Sequence, residues 1–315
     1  MDQVANRCNG SFPFAGIIDD KKPYEYLNMV AFTVLETYSN VHRGTGHFSL
    51  ITTELLEKAR QVILSCILDD SCGYELIFCT PRRAAAFGER IGGEAYLSVS
   101  SGDIGLPLGV TAIAVRRGSL PRGVPFETGG GTVTLVSRWS AVYGRPPERF
   151  EAGTPAVINC VLFAAALLMT CSHGPDIFWR NQEIMNRTSV YDILYDDDYA
   201  NLSGGKLLEA LKRSITGRNL HVPYEGGYRR YVNFDNAAST PALTPVYNAA
   251  SSVLNLPDNL TDDVIEETER IIYRFLDAGE NQYSIFFCLN TTEALHIAVQ
   301  NFVRGLPDGE EPVVV

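Results

Sequence analysis

Residues 53–79 read TELLEKARQVILSCILDDSCGYELIFC. Leu55, Leu56, Ala59, Val62, Ile63, Cys66 and Ile67 recur at helical spacing with charges on the other face, which predicts an amphipathic helix over 53–68. Asp69, Asp70 and Gly73 follow as a loop, and Tyr74 to Cys79 then has the character of a short buried strand. Residues 262–288, DDVIEETERIIYRFLDAGENQYSIFFC, follow the same plan. There Val264, Ile265, Thr268, Ile271, Ile272 and Phe275 share one helical face over 262–276. Gly279 marks the loop, and Tyr283 to Cys288 is the expected strand. The two stretches lie about 210 residues apart and read as an internal repeat of one helix–strand unit.

Between them, Ala95 to Val115 suggests a strand, a turn around Pro107 and Gly109, and a second strand. Glu127 to Val136 (ETGGGTVTLV) is a glycine turn entering a strand. Ala156 to Cys171 is the most apolar run. It is shorter than the roughly 20 residues that a membrane-spanning helix needs and it carries Asn159, so it is expected to be a buried helix. Residues 187–228 are polar, with Asp196, Asp197 and Asp198 clustered and a helix predicted over 205–214, and read as a connector. Alternating strands and amphipathic helices predict an α/β sandwich with a mostly parallel sheet.

The 315 residues are 45% hydrophobic and 20% charged, in the range of globular proteins. A net charge of −11 argues against nucleic acid or an anionic membrane as the main partner. Seven cysteines, an odd number without a CxxC pair, predict reduced thiols and a cytoplasmic location rather than a disulfide framework. Met1 to Gly10 is polar, so no secretory signal is expected. Five histidines show no metal-ligand spacing, and Gly129, Gly130 and Gly131 lack the Gly-Lys-Ser/Thr of a P-loop, so no metal site is expected.

Val232 to Pro241 (VNFDNAASTP) resembles the opening motif of the class V aminotransferases, in the branch that holds cysteine desulfurases and selenocysteine lyases. Phe287 to Leu295 (FCLNTTEAL) is similar to that family's phosphate-cup segment, and Asn40 to Gly44 (NVHRG) to its NVHRG stretch. Glu127 to Val133 and Arg149 to Pro155 (RFEAGTP) resemble two further stations. The resemblance implies a pyridoxal-phosphate (PLP) enzyme of fold type I, a three-layer α/β sandwich that acts on an amino acid by amino transfer or at a C–S or C–Se bond. It divides the chain into a partial, degenerate domain (1–186), a connector (187–228) and the N-terminal part of a second copy (229–315). Asn290, Thr291 and Thr292 would hold the cofactor phosphate at a helix N-terminus, or simply cap that helix. By the same resemblance Gly153 and Thr154 would reach the phosphate of a partner subunit, implying a homodimer. Ala237 and Ala238 of the opening motif, with His42 and Arg43, would lie near cofactor or substrate; a connecting loop is the alternative for the last two. Arg149 is expected either to contact substrate or to pair with Glu148 or Glu151.

The departures are as informative. The family's Schiff-base lysine precedes a Gly-x-Pro-x-Gly-Val stretch, and anchoring on Gly105, Pro107 and Gly109 puts Asp103 there; an alignment shifted by one gives Ile104. Neither forms an imine. The first copy's phosphate segment reads FCTPRRAAA (Phe78 to Ala86), with Pro81, Arg82 and Arg83 where Gly-Thr-Thr is expected. Phe87 runs almost directly into Ala95, so the family's pyridine-stacking histidine and pyridinium-pairing aspartate are assigned to no residue here. Cys72 and Cys171 are read as ordinary thiols. These losses predict an inactive or partial form of the enzyme, with a non-catalytic pseudoenzyme that pairs with an active partner as the alternative.

Overall fold

A computed structural model describes Pro13 and residues 22–42, 44–91, 96–180, 189–256 and 258–307. Along the chain run α1 (Pro23–Glu36), α2 (His47–Ile67), β1 (Tyr74–Cys79), α3 (Pro81–Ile91), β2 (Tyr96–Ser100) and β3 (Thr111–Arg116). After them come β4 (Val133–Val136), β5 (Ala141–Tyr143), α4 (Val157–His173), the single turn α5 (Ile177–Arg180) and α6 (Val190–Leu194). The rest comprises α7 (Gly204–Arg213), β6 (His221–Tyr224), β7 (Gly227–Arg230), α8 (Thr244–Val253), α9 (Asp258–Leu276) and α10 (Thr291–Arg304). The chain divides into two compact units that interleave in sequence. One holds residues 1–71, 100–109 and 157–285, the other 72–99, 110–156 and 286–315.

The first unit is mainly helical and also carries the β6–β7 hairpin. Its centre is α4, buried on every side from Cys160 to Met169, as an all-apolar helix must be when it is too short to span a bilayer. It packs against α1 and α2, and the part-buried Asn159 amide donates to the Leu108 carbonyl (2.8 Å). No helix among the described residues is long and apolar enough to cross a membrane. Ser189 and Asp192 form a reciprocal capping box at the start of α6.

In the second unit β3 lies between β1 and β2. Its core gathers Ile77, Phe87, Ile113, Val115, Leu120 and Phe150. The sheet departs from expectation in one respect. Strand β1 pairs antiparallel with β3, from Tyr74↔Arg116 to Cys79↔Thr111, and the β4–β5 and β6–β7 pairs are antiparallel too. Tyr283–Cys288, expected as a further strand, forms none. Within it Tyr283, Phe286 and Phe287 stand exposed. The β6–β7 hairpin, inside and just beyond the expected connector, is the converse case, an element that polar composition concealed.

Candidate phosphate-binding site

The start of α10 carries the best-formed constellation. Asn290 is the N-cap: its Oδ1 accepts the Glu293 N–H (3.0 Å), while its Nδ2 donates to the carbonyls of Ala152 (3.3 Å) and Thr154 (3.1 Å). Asn290 is thereby brought against Gly153 and Thr154 of the same chain. The fit is tight, since a Cβ added at Gly153, whose φ is +83°, would lie 2.5 Å from the Asn290 amide. Gly129 closes on the other side, where an added Cβ would come within 2.5 Å of the Thr292 methyl. His296 makes a 2.7 Å hydrogen bond with the Thr128 carbonyl. Thr291 is exposed and Thr292 half-buried.

Glu293, which the sequence reading passed over, is the centre of this arrangement. Its side chain is 4% exposed; it accepts the Leu289 N–H (2.9 Å), Arg82 Nη2 (2.7 Å) and the Thr80 hydroxyl (3.3 Å). Arg83 pairs with Glu127 (2.7 Å) and donates to the Ala152 carbonyl (3.0 Å). Burial pushes the Glu293 carboxyl up, but the Arg82 hydrogen bond, the Leu289 N–H and the two arginine charges outweigh it and hold the carboxyl below its ordinary range. The signal was present in Asn-x-x-Glu, the spacing of a capping box. The worn FCTPRRAAA segment thus has a structural use, because its two arginines neutralise buried Glu293 and half-buried Glu127.

A PLP phosphate does not fit this helix start. The Asn290 amide is spent on two carbonyls, the space beside Thr292 and Asn290 is filled by chain at Gly129 and Gly153, and a buried carboxylate already occupies the first turn. A dianion placed there would meet Glu293. The chain's lysines are Lys21, Lys22, Lys58, Lys206 and Lys212, and none belongs to this unit.

Except for Arg149, which lies in the second unit, the remaining predicted residues lie in the first. The two motifs there meet: Asn40 Nδ2 donates to Asp235 (2.6 Å), and Phe48 packs edge-on against Tyr231. Ala237 and Ala238 occupy an exposed turn behind Asp235. His42 sits at φ +57°, its N–H bonded to the Thr53 hydroxyl (3.1 Å) and its ring 3.7 Å from Glu57. Arg43 lies outside the described residues. Asp103 falls in a short 3₁₀ turn and accepts the Ser100 N–H (2.7 Å), a local turn cap. Arg149 makes neither expected ion pair; its guanidinium donates to the carbonyls of Gly144 (2.7 Å) and Arg122 (3.0 Å), since Glu151 is turned inward to accept the Phe78 N–H (2.6 Å).

Two thiols differ sharply. Burial, with Glu151 nearby, pushes Cys79 well above the ordinary thiol range. A hydrogen bond from Cys66 brings half-buried Cys171 down to about 7, against the opposing pull of burial. Among the described residues no cluster of three or more metal-ligating side chains occurs.

Residues 97–203 match the family described as aminotransferase class-V. A probable cysteine desulfurase 2 of Mycobacterium leprae is 42% identical over 165 residues, which are 52% of this chain and 37% of that protein. A probable cysteine desulfurase of Halobacterium salinarum is 28% identical over 92 residues, 29% of this chain and 22% of its own length. Among solved structures, the apo cysteine desulfurase of Thermococcus onnurineus NA1 aligns with a TM-score of 0.37 at 17% identity, covering 51% of this chain and 69% of that one. The matched stretches therefore span well under half the length of these curated relatives.

Proposed function

We infer from a chain that belongs to the class V aminotransferases, on the cysteine-desulfurase-like side of that family and with its mixed α/β fold type I frame incomplete, that it derives from an amino-acid-transforming PLP enzyme and does not itself carry out Schiff-base chemistry in this form. The observation that carries this reading is Asp103. It stands where the resemblance places the lysine, and its carboxylate is committed to the turn it caps. The filled start of α10 supports the same reading, because its donors serve the protein's own carbonyls and carboxylate.

The direct test is to add PLP to the purified chain, follow visible absorbance, and reduce with borohydride before peptide mapping. No cofactor-derived band and no modified lysine are expected. A stoichiometric adduct on one lysine overturns the inference and names the residue that has taken over.

A second reading, a non-catalytic subunit that pairs with another chain, is favoured by the exposed apolar stripe Leu295, Val299 and Phe302 on α10. Co-expression with a full-length desulfurase relative, followed by size-exclusion chromatography, separates the two: co-elution supports this reading and independent elution removes it.

A further inference from the structure

The last turns of α2 and α4 bring two thiols together. These helices pack against each other. Helix α2 buries Val62 and Ile63 one turn before Cys66, and α4 buries Leu168 and Met169 just before Cys171. Each cysteine lies in the final turn of its helix, and the Cys66 thiol donates a hydrogen bond to the Cys171 sulfur. The six cysteines among the described residues carry no disulfide. Cys66 and Cys171 are both half-buried, whereas Cys79 and Cys160 are buried and Cys72 is exposed. Cys288, also half-buried, belongs to the second unit. The pair therefore keeps some surface in solvent, where a small reagent can reach it.

We propose that Cys66 and Cys171 form a reversible redox site, closed to an intramolecular disulfide by a low-molecular-weight disulfide and reopened by a low-molecular-weight thiol. A disulfide needs an S–S bond of about 2.05 Å and Cβ atoms about 3.5–4.5 Å apart. Two hydrogen-bonded thiols are already neighbours, so rotation about each Cα–Cβ bond and a small approach of the two last turns complete the bond.

The order of events follows from the hydrogen bond. Cys171 accepts it, which stabilises its thiolate and brings the thiol down to about 7, so Cys171 is the attacking sulfur at neutral pH. It attacks one sulfur of the small disulfide, forms a mixed disulfide and releases one half as a thiolate, which takes the proton that Cys171 gave up. Cys66 then attacks Cys171 Sγ; its proton goes to the second half, which leaves as a thiol. Two protein thiols become one disulfide and one small disulfide becomes two thiols, a two-electron exchange that needs no other oxidant. Closing the chain between residues 66 and 171 restricts the unfolded state, so the oxidised form is the more stable one. The proposal is independent of the inference about Schiff-base chemistry, because it uses neither PLP nor any residue of the α10 site.

The test equilibrates the whole chain with glutathione buffers of graded ratio, quenches with acid, alkylates the remaining thiols and maps the peptides without reduction. A Cys66–Cys171 disulfide is expected in excess oxidised glutathione, reversed by dithiothreitol, with a melting temperature raised by about 5–10 °C. Cys66→Ser is expected to stall at the mixed disulfide, with glutathione retained on Cys171, and circular dichroism checks that this variant is folded. The mapping of the natural chain decides the matter if the variant does not fold. Absence of the Cys66–Cys171 disulfide in the folded natural chain, a disulfide that joins another pair such as Cys66 and Cys72, or a folded Cys66→Ser chain that gains no glutathione on Cys171 would each overturn the proposal.

Discussion

Glu293 shows how one side chain can take over a site. Its carboxylate, four-coordinated by protein donors within the second unit, accepts two N–H groups of Arg82 as well as the Leu289 N–H and the Thr80 hydroxyl. Glu293→Gln retains the shape but removes the charge that balances Arg82 and buried Arg83. A loss of about 2 kcal/mol is expected from charged hydrogen bonds of this kind, read as a lower urea midpoint. The sign of the pH effect follows from the depressed carboxyl. The stabilisation is full above the ordinary carboxylate value of 4.5 and is lost as pH falls through the lower folded value. The melting temperature of the natural chain should therefore drop on acidification more steeply than that of Glu293→Gln; parallel curves would contradict this assignment. Cys171 gives a second test at the same scale. With its thiol brought down to about 7 by Cys66, iodoacetamide labelling should rise through an inflection near neutral pH. Cys66→Ala should move that inflection upward, and Cys79 should react only on unfolding. Labelling of Cys79 as fast as Cys171 in the folded chain would refute the contrast.

Among elements, α10 depends on its first cap. Asn290→Ala removes the acceptor for Glu293 N–H and the donors to Ala152 and Thr154, with an expected cost of about 1–2 kcal/mol. Gly153→Ala should cost at least as much, because it adds both a clash with Asn290 and a side chain at positive φ. Thermal melts of the two single variants and the double variant check this, and additive losses would show that the two residues do not act through one contact. The same elements show what sequence can and cannot convey. Helices α2, α4 and α9, strand β1 and the β2–turn–β3 segment were legible because their signals are local: periodicity, a run of apolar residues, a Pro-Gly turn. Tyr283–Cys288 is as apolar and aromatic as β1 but forms no strand, since a strand needs a neighbour that its own residues cannot specify. The β6–β7 hairpin escaped for the opposite reason. Its strands are short and mostly exposed, and only Gly226 and Gly227 announced the turn. At the candidate site the motif residues Asn290, Gly153 and Thr154 were legible, whereas the use of Glu293 against Arg82 and Arg83 was not. That contact joins residues more than 200 positions apart.

At the scale of the molecule, neither unit covers all of its apolar surface. On α10, Leu295, Val299 and Phe302 are 60%, 58% and 64% exposed. Their i, i+4, i+7 spacing puts them on one stripe of the kind that a helix ordinarily buries. Phe286 and Phe287, in the same unit and without a strand partner, add aromatic surface just before the helix. A stripe of this kind, together with this exposed aromatic surface, favours association with a like surface. The isolated chain is therefore expected to elute as dimers or larger species whose mass rises with concentration in light-scattering chromatography. Val299→Lys together with Phe302→Lys should shift it toward monomer, because both positions are already exposed and the substitutions disturb no buried contact. A natural chain that stays a monodisperse monomer at high concentration and melts in one cooperative step would show instead that this surface is tolerated in water. The subunit-pairing reading would then lose the observation that favours it.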